Sequence, residues 1–215
     1  GRPRINACHL FLTFMADETS ICNLALAKLG ISPIMALTDD SKQAQFCNRF
    51  FAQTRDEVLQ GHRWNFAMRR SALNKLANAP QSEWESAYQL PVDCLRVVQL
   101  NGYEPNERLG EFSVEGDQLL TNAEEANIRY VDRVEDGSFY HPLFVHALAT
   151  MLASRLAGPL TGSRNMPQEL LQEYEAITGP KARMADAFEE RLRRKMPWTN
   201  SDLVAARYTK FPSSQ

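Results

Sequence analysis

The repeat of the apolar residues changes twice along this chain, and that change limits the folds open to it. Ala44, Cys47, Phe51, Thr54 and Val58 recur at steps of three, four, three and four, the spacing of one face of an α-helix. Directly after Gly61 the repeat drops to two: Trp64, Phe66 and Met68 alternate with Asn65, Ala67 and Arg69, the spacing of a half-buried strand. From Pro142 onward Val145, Leu148, Leu152 and Leu156 return to helical steps. Helical stripes at both ends must meet to be buried. The expected class is therefore α+β, a helical bundle made from N- and C-terminal helices with a small antiparallel β-sheet inserted in the middle.

Local signals place the elements. Asp17 caps a first helix at 18–29 that ends at Gly30, and "ISPIMALTDD" reads as a loop whose two aspartates can cap a second helix at 41–60. A sheet region covers 63–135. Within it a strand from Cys94 to Leu100 turns at Asn101-Gly102, two strands join through Glu115-Gly116-Asp117, and Ile128, Tyr130 and Val134 point inward. A third helix at 141–157 starts with Pro142 in its first turn and stops at Gly158. A last helix at 166–195 has Asn165 as cap and Leu170, Leu171, Tyr174 and Ile177 inside, and Gly179-Pro180 should kink or interrupt it. Residues 15–195 then form a single domain. Met15 reads as a natural start preceded by an extension, 1–14, and 196–215 as an extended tail.

The chain is 44% hydrophobic and 23% charged, which excludes wholesale disorder, and a formal net charge of -2 speaks against a dedicated grip on DNA or an anionic membrane. Cys8, Cys22, Cys47 and Cys94 form no CxxC pair and read as reduced core residues. No apolar run approaches about 20 residues, so no transmembrane helix is expected.

Motifs of catalysis are missing. No two of the ten glycines lie two apart, so there is no GxG phosphate loop, and GK[ST], GxSxG and HExxH are absent. His141 and His146, five apart on a helix, point in different directions and do not share a metal. Glu83 with Glu85 could pair as glycosidase carboxylates, although acidic residues are dense enough here for chance pairing. The expectation is no catalytic residue, no metal and no cofactor.

Charge is unevenly spread. Residues 104–136 hold ten acidic side chains against three arginines, whereas 181–195 hold six basic against three acidic. These are either solvated faces or an acidic wall that repels a polyanion and lets it pass, since phosphate binding needs Lys and Arg to displace counterions. The densest basic and aromatic cluster is "QGHRWNFAMRR" at 60–70. Its aromatics fall on one side of a strand that follows a helix, with Phe46, Phe50 and Phe51 upstream as packing partners. Trp64 and Phe66 are thus expected to plug the core, with Arg63, Arg69 and Arg70 leaning outward.

The run "ICNLALAKLGISPIMALTDDSKQAQFCNRFFAQTRDEVLQGHRWNF" resembles the N-terminal signature of the podovirus tail tubular protein A family, the head-to-tail adaptors. The residues that carry the likeness are Leu29-Gly30, Pro33, Leu37, Asp39, Asp40, Gly61, Trp64 and Phe66. The stretch from "YHPLFVHALATML" to "ARMADAFE" is similar to the family's paired C-terminal helices, and the likeness spans most of 18–188, weakest in the sheet. The N-terminal extension and Gly179-Pro180 depart from the pattern. The resemblance implies a non-enzymatic virion protein of the tail or neck, assembled in the bacterial host cytoplasm, with twelve copies ringed under a portal protein. The ring would seat the tail nozzle protein and leave a channel through which DNA passes without specific binding, with no membrane involved.

On that reading Arg63, Arg69, Arg70, Arg191, Arg193 and Arg194 are candidates for subunit contacts, where basic and acidic faces of neighbouring copies meet. Trp198, Tyr208 and Phe211 either grip the portal or fold back on their own domain. Two other classes remain: a virion-associated peptidoglycan hydrolase using Glu83 or Glu85, and a small helical DNA-binding protein using Arg63, Arg69, Arg70 and the "RLRRK" run.

Overall fold

The computed structural model describes residues 17–77, 83–105 and 111–193, with side chains to 189. Met15, the 1–14 extension, Cys8, Arg194 and the 196–215 tail with Trp198, Tyr208 and Phe211 lie outside the described residues. So do the side chains of Arg191 and Arg193.

Helix α1 (Glu18–Lys28) starts where the Asp17 carboxylate accepts the Ser20 N–H at 3.0 Å. The loop after it is pinned at both ends: Asn23 accepts the Ile34 N–H and donates to its carbonyl, and Asp39 Oδ2 accepts the N–H groups of Met35 and Ala36. Asp39 therefore closes the loop behind it, and the cap of α2 (Lys42–Gln60) is the Ser41 hydroxyl rather than either aspartate. Ala44, Cys47, Phe51, Thr54 and Val58 are buried along α2, as their spacing predicts.

The strand expected from Trp64 begins only at Met68. Residues Asn65–Ala67 form a 3-10 turn, and β1 spans Met68–Ala72. The reason lies in the end of α2. The Trp64 indole N–H donates to the Val58 carbonyl at 2.9 Å, one of the last carbonyls of the helix, and reaching it requires a reversal that an extended strand cannot make.

Two antiparallel sheets of three strands replace the one expected. β1, β6 (Asn127–Asp132) and β3 (Cys94–Leu100) form the first, in the order β1-β6-β3. β2 (Ser86–Gln89), β5 (Gln118–Thr121) and β4 (Ser113–Glu115) form the second, in the order β2-β5-β4. The turns at Asn101-Gly102 and Gly116 fall where the sequence places them, with positive φ at all three residues. The split follows from burial. Val98, Val131 and Met68 face the helices, while Leu100, Ile128 and Tyr130 face Tyr88, Leu90 and Leu119 in a second core. The first sheet is thus a middle layer with apolar residues on both sides, and the second sheet covers the side away from the helices.

α3 (Pro142–Thr161) is the hub of the helical side and packs against α1, α2, α4 (Met166–Glu173) and α5 (Gly179–Arg193). It does not stop at Gly158. It runs one more turn through Pro159, which has no N–H to return to the Arg155 carbonyl, and closes at Gly162 with φ 71°. Contrary to the expectation from its sequence, α3 is long and apolar enough to cross a membrane by length and composition. However, 67% of its apolar stretch is buried within the protein, as a core helix would be.

The last helix is interrupted just before Gly179, not at it. Tyr174–Thr178 form a wide π turn in which the Gly179 N–H bonds back to the Tyr174 carbonyl. A Cβ on Gly179 would sit 2.8 Å from that carbonyl oxygen, so glycine is required where the wide turn closes. Asn165 makes no capping bond; the Ser163 hydroxyl accepts the Met166 N–H instead. Leu170 is buried, but Leu171 and Ile177, expected inside, stand on the surface.

Candidate functional site

The sequence cluster at 60–70 becomes a clasp between the two ends of the chain. Trp64, 2% exposed, meets Phe144 of α3 edge-on at 4.9 Å and His62 at 4.7 Å, and lies 6.1 Å from Phe66. Phe66 also touches Phe144, Tyr140 and His141. The ring partners of Trp64 are Phe144 of α3 and its own neighbours His62 and Phe66. Phe46 and Phe50 stack on one another instead, and only Phe51 of the three upstream phenylalanines is fully buried.

α5 closes over this joint through one buried carboxylate. Asp186 Oδ1 accepts the Asn65 N–H at 2.9 Å, its backbone carbonyl accepts the Asn65 side-chain amide at 2.7 Å, and Oδ2 lies 3.3 Å from His62 Nε2. A second pair, His141 Nε2 with Glu189 Oε2 at 3.4 Å, flanks it. Between them is a cleft of about 170 Å³ lined by Trp64, Phe144, His141, Asp186 and Glu189. One histidine, His141, and two carboxylates share its walls, while His62 pairs with Asp186 from outside the lining. Among the described residues, no three His, Cys, Asp or Glu side chains are arranged to hold a metal. His146 is exposed on another side of α3. Glu83 and Glu85 are exposed ahead of β2, where the Glu85 N–H bonds Asn122 Oδ1.

Arg63, Arg69 and Arg70 all lean outward, as expected, but two of them are engaged within the chain. Arg63 donates twice to Glu104, at 2.6 and 3.0 Å, and its guanidinium holds the Glu104 carboxyl below the usual carboxylate range. Arg69 Nε lies 3.2 Å from Asp132 Oδ2. Arg70 lines a separate concavity on the first sheet.

A second polar cluster is absent from the sequence reading. Arg55, 4% exposed on the apolar side of α2, reaches Asp56 at 2.9 Å, Glu135 at 3.5 Å and Glu18 at 4.0 Å, and Arg133 shares Asp56 at 3.0 Å. The network ties α1 and α2 to the segment leaving β6. Beside it Tyr140 donates to the Val134 carbonyl at 2.5 Å, and burial pushes its hydroxyl above the ordinary tyrosine range. The available signal was that position 55 follows Thr54 on a stripe otherwise apolar. Glu57 and Arg155 add an ion pair between α2 and α3. Cys22 and Cys47 are buried free thiols facing each other, and their contact, reinforced by burial, pushes the Cys22 thiol far upward. The chain matches no protein-family model and no curated protein.

Proposed function

We propose that this chain is a structural virion protein, a head-to-tail adaptor that joins a portal to a tail nozzle as a ring with a channel for DNA. In this reading α1, α2 and α3 to α5 form the bundle from which the two sheets project, and each copy is one wedge of the ring.

The observation that carries the reading is the placement of the residues behind the resemblance. Leu29 and Gly30 end α1, Asp39 clamps the loop around Pro33, Gly61 ends α2, and Trp64 and Phe66 lie under α3. Each of them has a local role in joining the helices, which is where a family signature concentrates when the scaffold is the function. A second support is the surface of the last helix. Met184 and Phe188, four apart on α5, are each about 60% exposed, the face that a neighbouring copy would cover. The reading uses no cofactor, metal or membrane, and chemistry at Glu83 or Glu85 has no role in it.

The test is to mix purified chain with portal rings and image the product by negative-stain microscopy. A second ring stacked on the portal, lost when Met184 and Phe188 are both replaced by Ser, is the expected result. Unchanged portal rings at saturating chain, together with clearing of peptidoglycan in a zymogram that Glu83→Gln or Glu85→Gln abolishes, would replace the adaptor with the hydrolase.

A further inference from the structure

The first sheet carries an arrangement that the clasp does not use, and it includes Arg70, a candidate for subunit contacts on the adaptor reading. Arg70 of β1 lies directly opposite Arg129 of β6, and Arg129 is in turn opposite Gln99 of β3. Partners across a ladder share a face, so two guanidinium side chains stand side by side on neighbouring strands. Like charges in that position destabilise a sheet, and three other arginines of this region are neutralised: Arg63 by Glu104, Arg69 by Asp132 and Arg133 by Asp56. Among the described residues, neither Arg70 nor Arg129 has a carboxylate oxygen within 4.0 Å.

The two arginines border a concavity of about 340 Å³, with Gln99, Asn101 and Asn127 on its walls. It is the face of the sheet that, nearer the helices, is covered through Met68 and Val131; past that cover the face is open. Further positive charge lies close by. Burial lowers the pKa of Arg96, with Arg63 as the second cause, and Arg129 acts on Glu104 alongside Arg63. Glu104 is not among the lining residues, and both of its oxygens accept from Arg63.

We propose that this concavity is a binding site for a phosphate group, held between the guanidinium forks of Arg70 and Arg129. A single fork satisfies a planar carboxylate through two parallel bonds, whereas two forks from adjacent strands converge on different oxygens of a tetrahedral anion. The anion also removes the repulsion between the arginines. The phosphate has two possible sources, a free phosphate ion or the phosphodiester backbone of a nucleic acid. The site stands whether or not the chain forms a ring.

Titration of the full chain with sodium phosphate, followed by calorimetry at constant ionic strength, tests this. Saturable binding is expected in the unmodified chain and in the control Arg164→Gln, and at least tenfold weaker binding in Arg70→Gln and in Arg129→Gln. Both of these variants should keep an unchanged or higher melting temperature without phosphate, because each relieves the repulsion, so weaker binding is not loss of fold. Competition by a short single-stranded oligonucleotide identifies the backbone as the source, and failure to compete identifies the free ion. Absence of saturable binding, or equal binding in all four proteins, overturns the proposal.

Discussion

Replacing Trp64 separates the two tasks assigned to it. Its ring is 2% exposed and sits against His62, Phe66 and Phe144, and its indole N–H occupies the Val58 carbonyl at the end of α2. Burying an aromatic side chain of roughly 200 Å² at about 25 cal/mol per Å² is worth about 5 kcal/mol, in line with the cost of about 3 to 5 kcal/mol for truncating buried Trp to Ala. Loss of the hydrogen bond adds about 1 kcal/mol. Trp64→Ala should therefore destabilise the chain by about 6 kcal/mol, which in urea, with a slope of about 2.5 kcal/mol per M, lowers the midpoint by about 2.4 M. Trp64→Phe retains much of the ring and loses the helix-end bond, so it should cost about 2 kcal/mol. Far-ultraviolet circular dichroism is the proper readout, since tryptophan emission is itself altered. A cost below about 2 kcal/mol for Trp64→Ala would refute its role as a core plug. Identical midpoints for Trp64→Phe and the unmodified chain would refute the helix-end bond.

Two further outcomes follow from named contacts. Asp186→Ala leaves the Asn65 N–H without its acceptor and His62 without its partner, so amide exchange along 182–189 should accelerate at least tenfold, while Asp186→Asn, which keeps an acceptor, should accelerate it less. Burial raises the Cys94 thiol from 9.0 to about 11, so its contribution to stability is full below pH 9 and lost as pH rises through about 11; urea midpoints at about pH 8 and about pH 10.5 should fall further in the unmodified chain than in Cys94→Ala, and parallel falls would show that burial does not act on this thiol.

The helices were legible because each carries its own evidence of where it begins and which side is buried. The α2 stripe from Ala44 to Val58 and the Asp17 cap depend on residues within a turn or two of each other, and both are found in place. What failed depended on partners distant in sequence. Trp64 and Phe66 alternate like strand residues, yet Trp64 folds back to satisfy a carbonyl of the preceding helix, and the strand starts four residues later. Ile177 keeps helical spacing from Tyr174, but it lies within the π turn, whose wider coil departs from that spacing, and it stands outside. Asp186 looked like one acid in a basic stretch; only its contact with Asn65, 121 positions away, marks it as the buried centre of the clasp.

β3 shows why the second sheet could not be read. Its pairing with β6 shifts register twice, between Cys94 and Arg96 and again between Val97 and Gln99. Each shift inserts one residue, so Cys94, Val97 and Leu100 all face the second core at intervals of three, while Leu95 and Val98 face the helices. A strand with that repeat has neither the alternation of a half-buried sheet nor the spacing of a helix, and in the sequence it appears only as a short apolar run. The bulges give one strand two buried faces, which is what a middle layer needs. They also set Gln99 opposite Arg129, next to the pair that Arg70 and Arg129 make in the ladder of β1 with β6, on the part of the helix-facing side that lies past the cover of the helices. The phosphate site is thus a product of register. Arg70, Gln99 and Arg129, spaced 29 and 30 positions apart along the chain, meet because β1 pairs with β6 in unbroken register and β3 joins β6 through two extra residues.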